Sequence, residues 1–125
     1  MSARASRILV VDDNLASLKL VTFLLAQVPY DVRAAIDAED AIDLVRRFKP
    51  RLILVDLQMP DTDGLELTRR LKADPATRDT RIVAVTTDAL EGEEAAARAV
   101  GVDGYITKPM APDRFRDAVA SYLTD

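Results

Sequence analysis

Several polar side chains stand where short apolar runs stop. Asp12 and Asp13 follow the run 7–11 (RILVV), and Asp56 follows 52–55 (LILV). Thr86 and Thr87 follow 81–85 (RIVAV), and Lys108-Pro109 follows 105–107 (YIT). Gathered in one place, carboxylates can hold a metal ion while one of them serves as a nucleophile; a hydroxyl and an ammonium can bind an anion. Neighbouring strands lie about 4.8 Å apart. If the first and third strands are neighbours, three carboxylates meet in one crevice and repel, and a divalent cation relieves the repulsion. The chain has no histidine and no cysteine. That excludes Ser-His-Asp catalysis, thiol chemistry, disulfides and zinc-thiolate sites. An all-oxygen ligand set points to Mg²⁺ or Mn²⁺.

Each of these residues also has a plainer reading. Asp12-Asp13-Asn14 reads equally well as a helix cap, because Asp and Asn are favoured there. Asp56 alone is a solvated strand end, Thr86 a β-branched strand residue, and Lys108 a surface lysine. Their joint placement at strand ends is what favours chemistry. Parallel α/β sheets bind ligands beyond the carboxyl ends of their strands.

The elements that must position these groups follow from the apolar pattern. Strands are expected at 7–11, 31–36, 52–55, 81–85 and 105–107. Residues 15–28 put Leu18, Val21, Leu24, Leu25 and Val28 on one helical face, and 38–48 do the same with Ala41, Ile42, Val45 and Phe48. Further helices are expected over 64–74, 90–100 and from Pro112 onward, the last burying Phe115, Ala118, Val119 and Tyr122. Val28-Pro29-Tyr30, Lys49-Pro50, Asp74-Pro75 and Gly101 are stop signals. The first, third and fourth strands are nearly continuous apolar runs, as in strands covered on both faces. Five β-α units in 125 residues are too few for a closed eight-fold barrel, so an open, doubly wound parallel sheet is expected. One domain is expected over 1–125, with 1–6 a loose tail. No apolar run reaches the roughly 20 residues of a membrane helix, and a cytoplasmic location is expected. The net charge of −4 does not favour a nucleic-acid partner.

The stretches ILVVDDN (8–14), LILVDLQMPDTDGLEL (52–67), RIVAVTTDAL (81–90) and GVDGYITKP (101–109) resemble the receiver domain of two-component response regulators, in that family's order and spacing. The resemblance covers nearly the whole chain. It implies a three-layer, flavodoxin-like α/β fold with a five-stranded parallel sheet of order 2-1-3-4-5 and five helices. It implies that Asp56 is the phosphoacceptor and that Mg²⁺ is held by Asp12, Asp13, Asp56 and the backbone carbonyl of Gln58. Thr86 and Lys108 would contact the phosphoryl group, Lys108-Pro109 would be a cis peptide, and Tyr105 would change rotamer on activation. Gln58, Thr87 and Asp88 stand at positions that tune access and phosphoryl lifetime. Thr87 replaces a commoner alanine, and slower reaction with small phosphodonors is expected from it. Val28-Pro29-Tyr30 replaces a commoner glycine turn, and Met110 carries no assigned role.

The implied donor is a sensor histidine kinase or a histidine phosphotransfer protein, since the chain has no histidine of its own. The implied output is protein–protein contact through the fourth helix, fifth strand and fifth helix, from a monomer or a weak phosphorylation-dependent dimer. The charges of 91–94 are expected to form a solvated face. The chain would not be a turnover enzyme. Two other classes fit less well. A haloacid-dehalogenase-type phosphatase needs an Asp-x-Asp loop after its first strand, and a flavodoxin-like cofactor carrier needs Ser, Thr and Gly there; Asp12-Asp13-Asn14 supplies neither. The remaining alternatives are a non-phosphorylated receiver-fold module and a receiver belonging to a larger regulator or hybrid kinase.

Overall fold

In the computed structural model, residues 6–25, 30–57, 64–86, 92–107 and 111–123 are described. They alternate strictly: β1 (Ser6–Val11), α1 (Leu15–Leu25), β2 (Tyr30–Ala35), α2 (Ala38–Phe48), β3 (Leu52–Asp56), α3 (Gly64–Ala73), β4 (Arg81–Thr86), α4 (Glu93–Ala99), β5 (Gly104–Thr107) and α5 (Pro112–Leu123). All strand pairs are parallel, and the order is β2-β1-β3-β4-β5. The expected architecture is therefore the observed one. Ser6 pairs with Tyr30, so it belongs to the sheet and not to a tail.

The sheet carries an apolar core on each face. Leu9, Val11, Ile53, Val55, Ile82 and Ala84 pack with Val45, Leu67, Leu71 and Ala97, on the side covered by α2, α3 and α4. Ile8, Val10, Leu52, Leu54, Val83 and Val85 pack with Leu18, Val21, Phe115 and Val119, on the side covered by α1 and α5. Period-two alternation along β1, β3 and β4 sends successive residues to opposite cores. This double coverage explains why these strands read as unbroken apolar runs.

Local chemistry sets the boundaries. Asp37 caps α2 by accepting the Asp40 N–H at 2.8 Å. Glu39 and Asp40 in its first turn and Arg46 and Arg47 in its last complement the helix dipole. Lys49 ends it in the left-handed region, at φ 52°, just before Pro50. The stop at Gly101 is a Schellman motif: Val102 N–H donates to Ala97 O at 3.2 Å and Gly101 N–H to Arg98 O at 3.1 Å, with Gly101 at φ 104°. β2 ends at Ala35, one residue early, and Ile36 is half exposed beyond it. The Val28-Pro29 break lies outside the described residues, apart from Tyr30, which opens β2.

Candidate functional site

The register of β1 against β3 pairs Val11 with Val55. The next residue on each strand is a carboxylate, so Asp12 and Asp56 leave the sheet side by side. Asp12 is 2% exposed. Its N–H donates to Ala35 O at 3.0 Å, extending the β1–β2 ladder by one rung, and its Oδ1 accepts the Asn14 N–H at 2.9 Å. Asn14 is the cap of α1: its Oδ1 accepts the Ser17 N–H and its carbonyl the Leu18 N–H, both at 3.0 Å. The helix-cap reading therefore holds for Asn14, while Asp12 is buried at the strand end and Asp13 is half-buried beside it.

Asp56 is half-buried at the last position of β3. The ladder continues past it, with Leu57 N–H donating to Val85 O at 3.0 Å. Gly64 holds it from behind. A Cβ on Gly64 would lie 2.9 Å from Asp56 O and 3.1 Å from Val55 Cγ1, so α3 starts directly against the Asp56 backbone. Sequence reading used Gly64 only as a helix start. The glycine at the mouth of an apolar helix was the available signal for this close approach.

A small cavity of about 10 Å³, enough for about one water, lies by the two carboxylates; Asp12 and Asp56 line it with Val21, Leu54, Val85 and Phe115. Asp12 and Asp56 thus stand on the α1–α5 side, in phase with Val10 and Leu54. Thr86 is fully buried at the end of β4, in register with Thr107. Its phase is that of Ile82 and Ala84, on the opposite side of the sheet. A second cavity, about 340 Å³, lies at the other end of the sheet, between Arg51, Asp79, Arg81 and Tyr122, and none of the described candidate site residues line it.

The donor chemistry at Asp12, Asp13 and Asp56 suits Mg²⁺: hard oxygens and no nitrogen or sulfur ligand. Among the described residues no group of three or more acidic side chains converges as a metal cage. Mg²⁺ does not require one, because it keeps several waters and is usually held by one or two carboxylates together with phosphate oxygens. Gln58, whose carbonyl is expected to contribute, lies outside the described residues. So do Thr87, Asp88, Lys108, Pro109 and Met110.

Tyr105 is half-buried on β5, paired with Ala84. Its hydroxyl donates to Glu93 Oε1 at 2.6 Å. Burial, followed by the Glu93 hydrogen bond and the charges of Glu93 and Glu94, pushes its pKa from 10.0 to about 12. Glu93 is therefore not part of a solvated face. Glu94 is exposed and faces Arg98 at 3.4 Å. The outer side of α1, where no site residue stands, leaves Leu15, Leu20 and Phe23 66%, 57% and 63% exposed.

Among the described residues no helix is long and apolar enough to cross a membrane. The polar-differentiation response regulator DivK of Brucella anthropi is 37% identical over 118 residues, covering 94% of this chain and 96% of that protein. A response regulator receiver domain protein from Methanospirillum hungatei superposes with a TM-score of 0.86 at 27% identity, covering 95% of this chain and 94% of the other. The phosphorylated cyanobacterial phytochrome response regulator RcpA superposes with a TM-score of 0.79 at 28% identity, over 94% and 90%. The family model of the response regulator receiver domain matches residues 8–120, from the first strand into the last helix. With its strand order and strand-end carboxylates in place, the chain belongs to the response regulator receiver domain family of two-component signalling.

Proposed function

We propose that the chain is a phosphorylation-activated signalling switch whose phosphoacceptor is Asp56. The observation that carries the reading is the placement of Asp12 and Asp56 on adjacent strand ends with a buried Thr86 one strand further on. The phosphorylated state of RcpA supports the same chemistry. The donor is a phosphohistidine on a sensor kinase or a phosphotransfer protein. A carboxylate oxygen of Asp56 forms the new O–P bond as the P–N bond breaks, and the imidazole leaves with the electron pair of that bond. Mg²⁺, or Mn²⁺ in its place, would be held by Asp12, Asp13, Asp56 and the Gln58 carbonyl. When bound it draws charge from the phosphoryl oxygens. Lys108, as a compact ammonium, and Thr86, as a hydroxyl, bind those oxygens. Thr86 starts on the opposite side of the sheet from Asp56, so reaching the phosphoryl group requires it to move across the sheet end. That movement is the switch, and Tyr105 follows it.

Output is by protein–protein contact through α4, β5 and α5. The exposed apolar row Leu15, Leu20 and Phe23 fits a different partner. α1 begins directly after Asp12–Asn14, so a protein bringing a histidine to Asp56 lies over that helix, and Leu20 and Phe23, three residues apart and exposed on its outer side, offer that protein an apolar contact. The protein acts on itself and is not a turnover enzyme; it works in the cytoplasm as a monomer or a weak phosphorylation-dependent dimer. The test is intact mass after incubation with acetyl phosphate and Mg²⁺. One phosphoryl group is expected on the wild type and none on Asp56→Asn or in EDTA. If neither acetyl phosphate nor a phosphorylated histidine protein adds one, the chain is instead a receiver-fold module that signals without phosphate.

A further inference from the structure

Helices α4 and α5 are held to the sheet by different means. α5 buries Phe115 and Val119. Its last turn is tied down twice, by Arg51 donating to Leu123 O at 3.0 Å and by Arg81 donating to Tyr122 O. The Tyr122 ring lies over Gly104, in the space a Cβ there would occupy. α4 has seven residues and buries Ala97 alone. Its C-terminus is closed by the Schellman motif at Gly101. Its N-terminus starts at Gly92, at φ 81° in open space, with no side-chain cap. Helix ends without caps fray first. Among the described residues, the side-chain hydrogen bond that ties this end to the sheet runs from the Tyr105 hydroxyl to Glu93 Oε1, at 2.6 Å.

We infer that the Glu93 carboxylate is a latch: by accepting the Tyr105 hydroxyl it holds the first turn of α4 against β5 and sets the resting position of the output surface. This rests on the reading of α4, β5 and α5 as that surface. Thr86 and Tyr105 stand on the same side of the sheet, with Thr86 in register with Thr107 and Ala84 with Tyr105. When Thr86 moves toward Asp56 it vacates space at the end of β4. Tyr105 can enter that space only by leaving Glu93, so one rotamer change releases one helix turn. α5, clamped at its end, stays in place. The bond couples the switch residue to a helix that buries one residue, Ala97.

The experiment is amide hydrogen exchange of residues 92–99 in the unphosphorylated full chain. Tyr105→Phe and Glu93→Ala are each expected to speed exchange of the Ala96 amide, whose bond to Gly92 O closes the first turn of α4, about five- to ten-fold, the change one hydrogen bond of this kind produces. The double variant is expected to add nothing further, because both substitutions break the same bond. Glu93→Gln keeps an acceptor oxygen and is expected to restore protection. Glu94→Ala removes the same charge from the same turn without touching Tyr105, and is expected to leave it nearly unchanged. Exchange in α5 stays at the wild-type rate in all of them. Equal protection in wild type and Tyr105→Phe, or an equal loss from Glu94→Ala and Glu93→Ala, would overturn the latch. These measurements need no phosphoryl group. A latch that opens in the variants is supported even if Asp56 proves not to be the acceptor, and a phosphorylated Asp56 does not rescue a latch that fails to open.

Discussion

At the amino end of the sheet, charge is paired across elements. Lys72 on α3 donates to Thr80 O and Asp103 Oδ2 at 2.9 Å and to Arg78 O at 3.2 Å. The same Asp103 oxygen accepts the Ile82 N–H at 2.9 Å, and Asp103 N–H donates to Ile82 O at 2.7 Å. Arg51 and Arg81 reach from the starts of β3 and β4 to the last carbonyls of α5. At the carboxyl end, two adjacent strands finish in carboxylates instead. Asp12 and Asp56 end adjacent strands, with Asp13 next to Asp12 in the chain and Asp12 almost wholly buried. Burying a carboxylate costs stability unless its interactions offset that cost. The molecule is held shut at one end of its strands and kept chemically reactive at the other. Substitutions should therefore separate cleanly, with loss of function at one end and loss of stability at the other.

The largest effect is expected at the carboxyl end. Asp56→Asn removes the nucleophilic oxygen charge and should abolish the phosphoryl adduct in intact mass, while the thermal melt moves far less than for changes at the amino end. A large drop in melting temperature for Asp56→Asn would mean that Asp56 is a structural residue, and the division between the two ends would fail.

The matching change at the amino end is Asp103→Ala. It leaves the buried Ile82 N–H without its acceptor and takes the carboxylate from Lys72. The expected cost is about 2 kcal/mol, or a melting temperature lower by about 8 °C for a domain of this size. Phosphorylation by acetyl phosphate, measured well below that melt, should proceed at the wild-type rate. A slowed reaction at unchanged fold would show that the two ends are coupled through β4 and β5.

A smaller effect separates the two partner surfaces. Phe23→Ala removes an exposed ring from α1 and should cost the fold little, since surface changes are usually within about 0.5 kcal/mol. Transfer from a phosphorylated histidine protein should slow several-fold, and the reaction with acetyl phosphate should not. Equal slowing with both donors would place the effect inside the site and not on a docking surface.

What the sequence made legible follows the physics of burial. β1, β3 and β4 were readable because both of their faces are covered, and α2 because its apolar spacing is regular and Lys49-Pro50 marks its end. β2 is an edge strand with Asp31, Arg33 and Ala34 exposed, so its pattern is weak and its end was misplaced at Ile36. α4 begins at Glu93 and not at 90; nothing in its Ala- and Glu-rich run marks the start, which is set by a glycine in the left-handed region. At the site, the strand-end acids were legible, but their division of labour was not. Whether Asp12 or Asn14 caps α1 depends on which side chain the sheet buries, and Asp12 is fixed by the Ala35 carbonyl across the sheet. Glu93 was read as solvated because its partner, Tyr105, lies on a different element. Contacts between elements are the part a single chain's pattern does not encode.

The last effect concerns Tyr105, which lies between the two ends, and it is confined to high pH. Burial and then Glu93 keep its proton on to about pH 12, against 10.0 for an ordinary tyrosine. Between those values the folded chain holds a proton that the unfolded chain has lost. The contribution is therefore complete below pH 10 and fades as the pH rises toward 12. Urea unfolding of wild type and Tyr105→Phe should show this as a difference between the two that narrows across that window and is constant below it. A difference that stays constant through pH 12 would mean that the Tyr105 proton is not what the folded state retains, and that the hydroxyl contributes by packing alone.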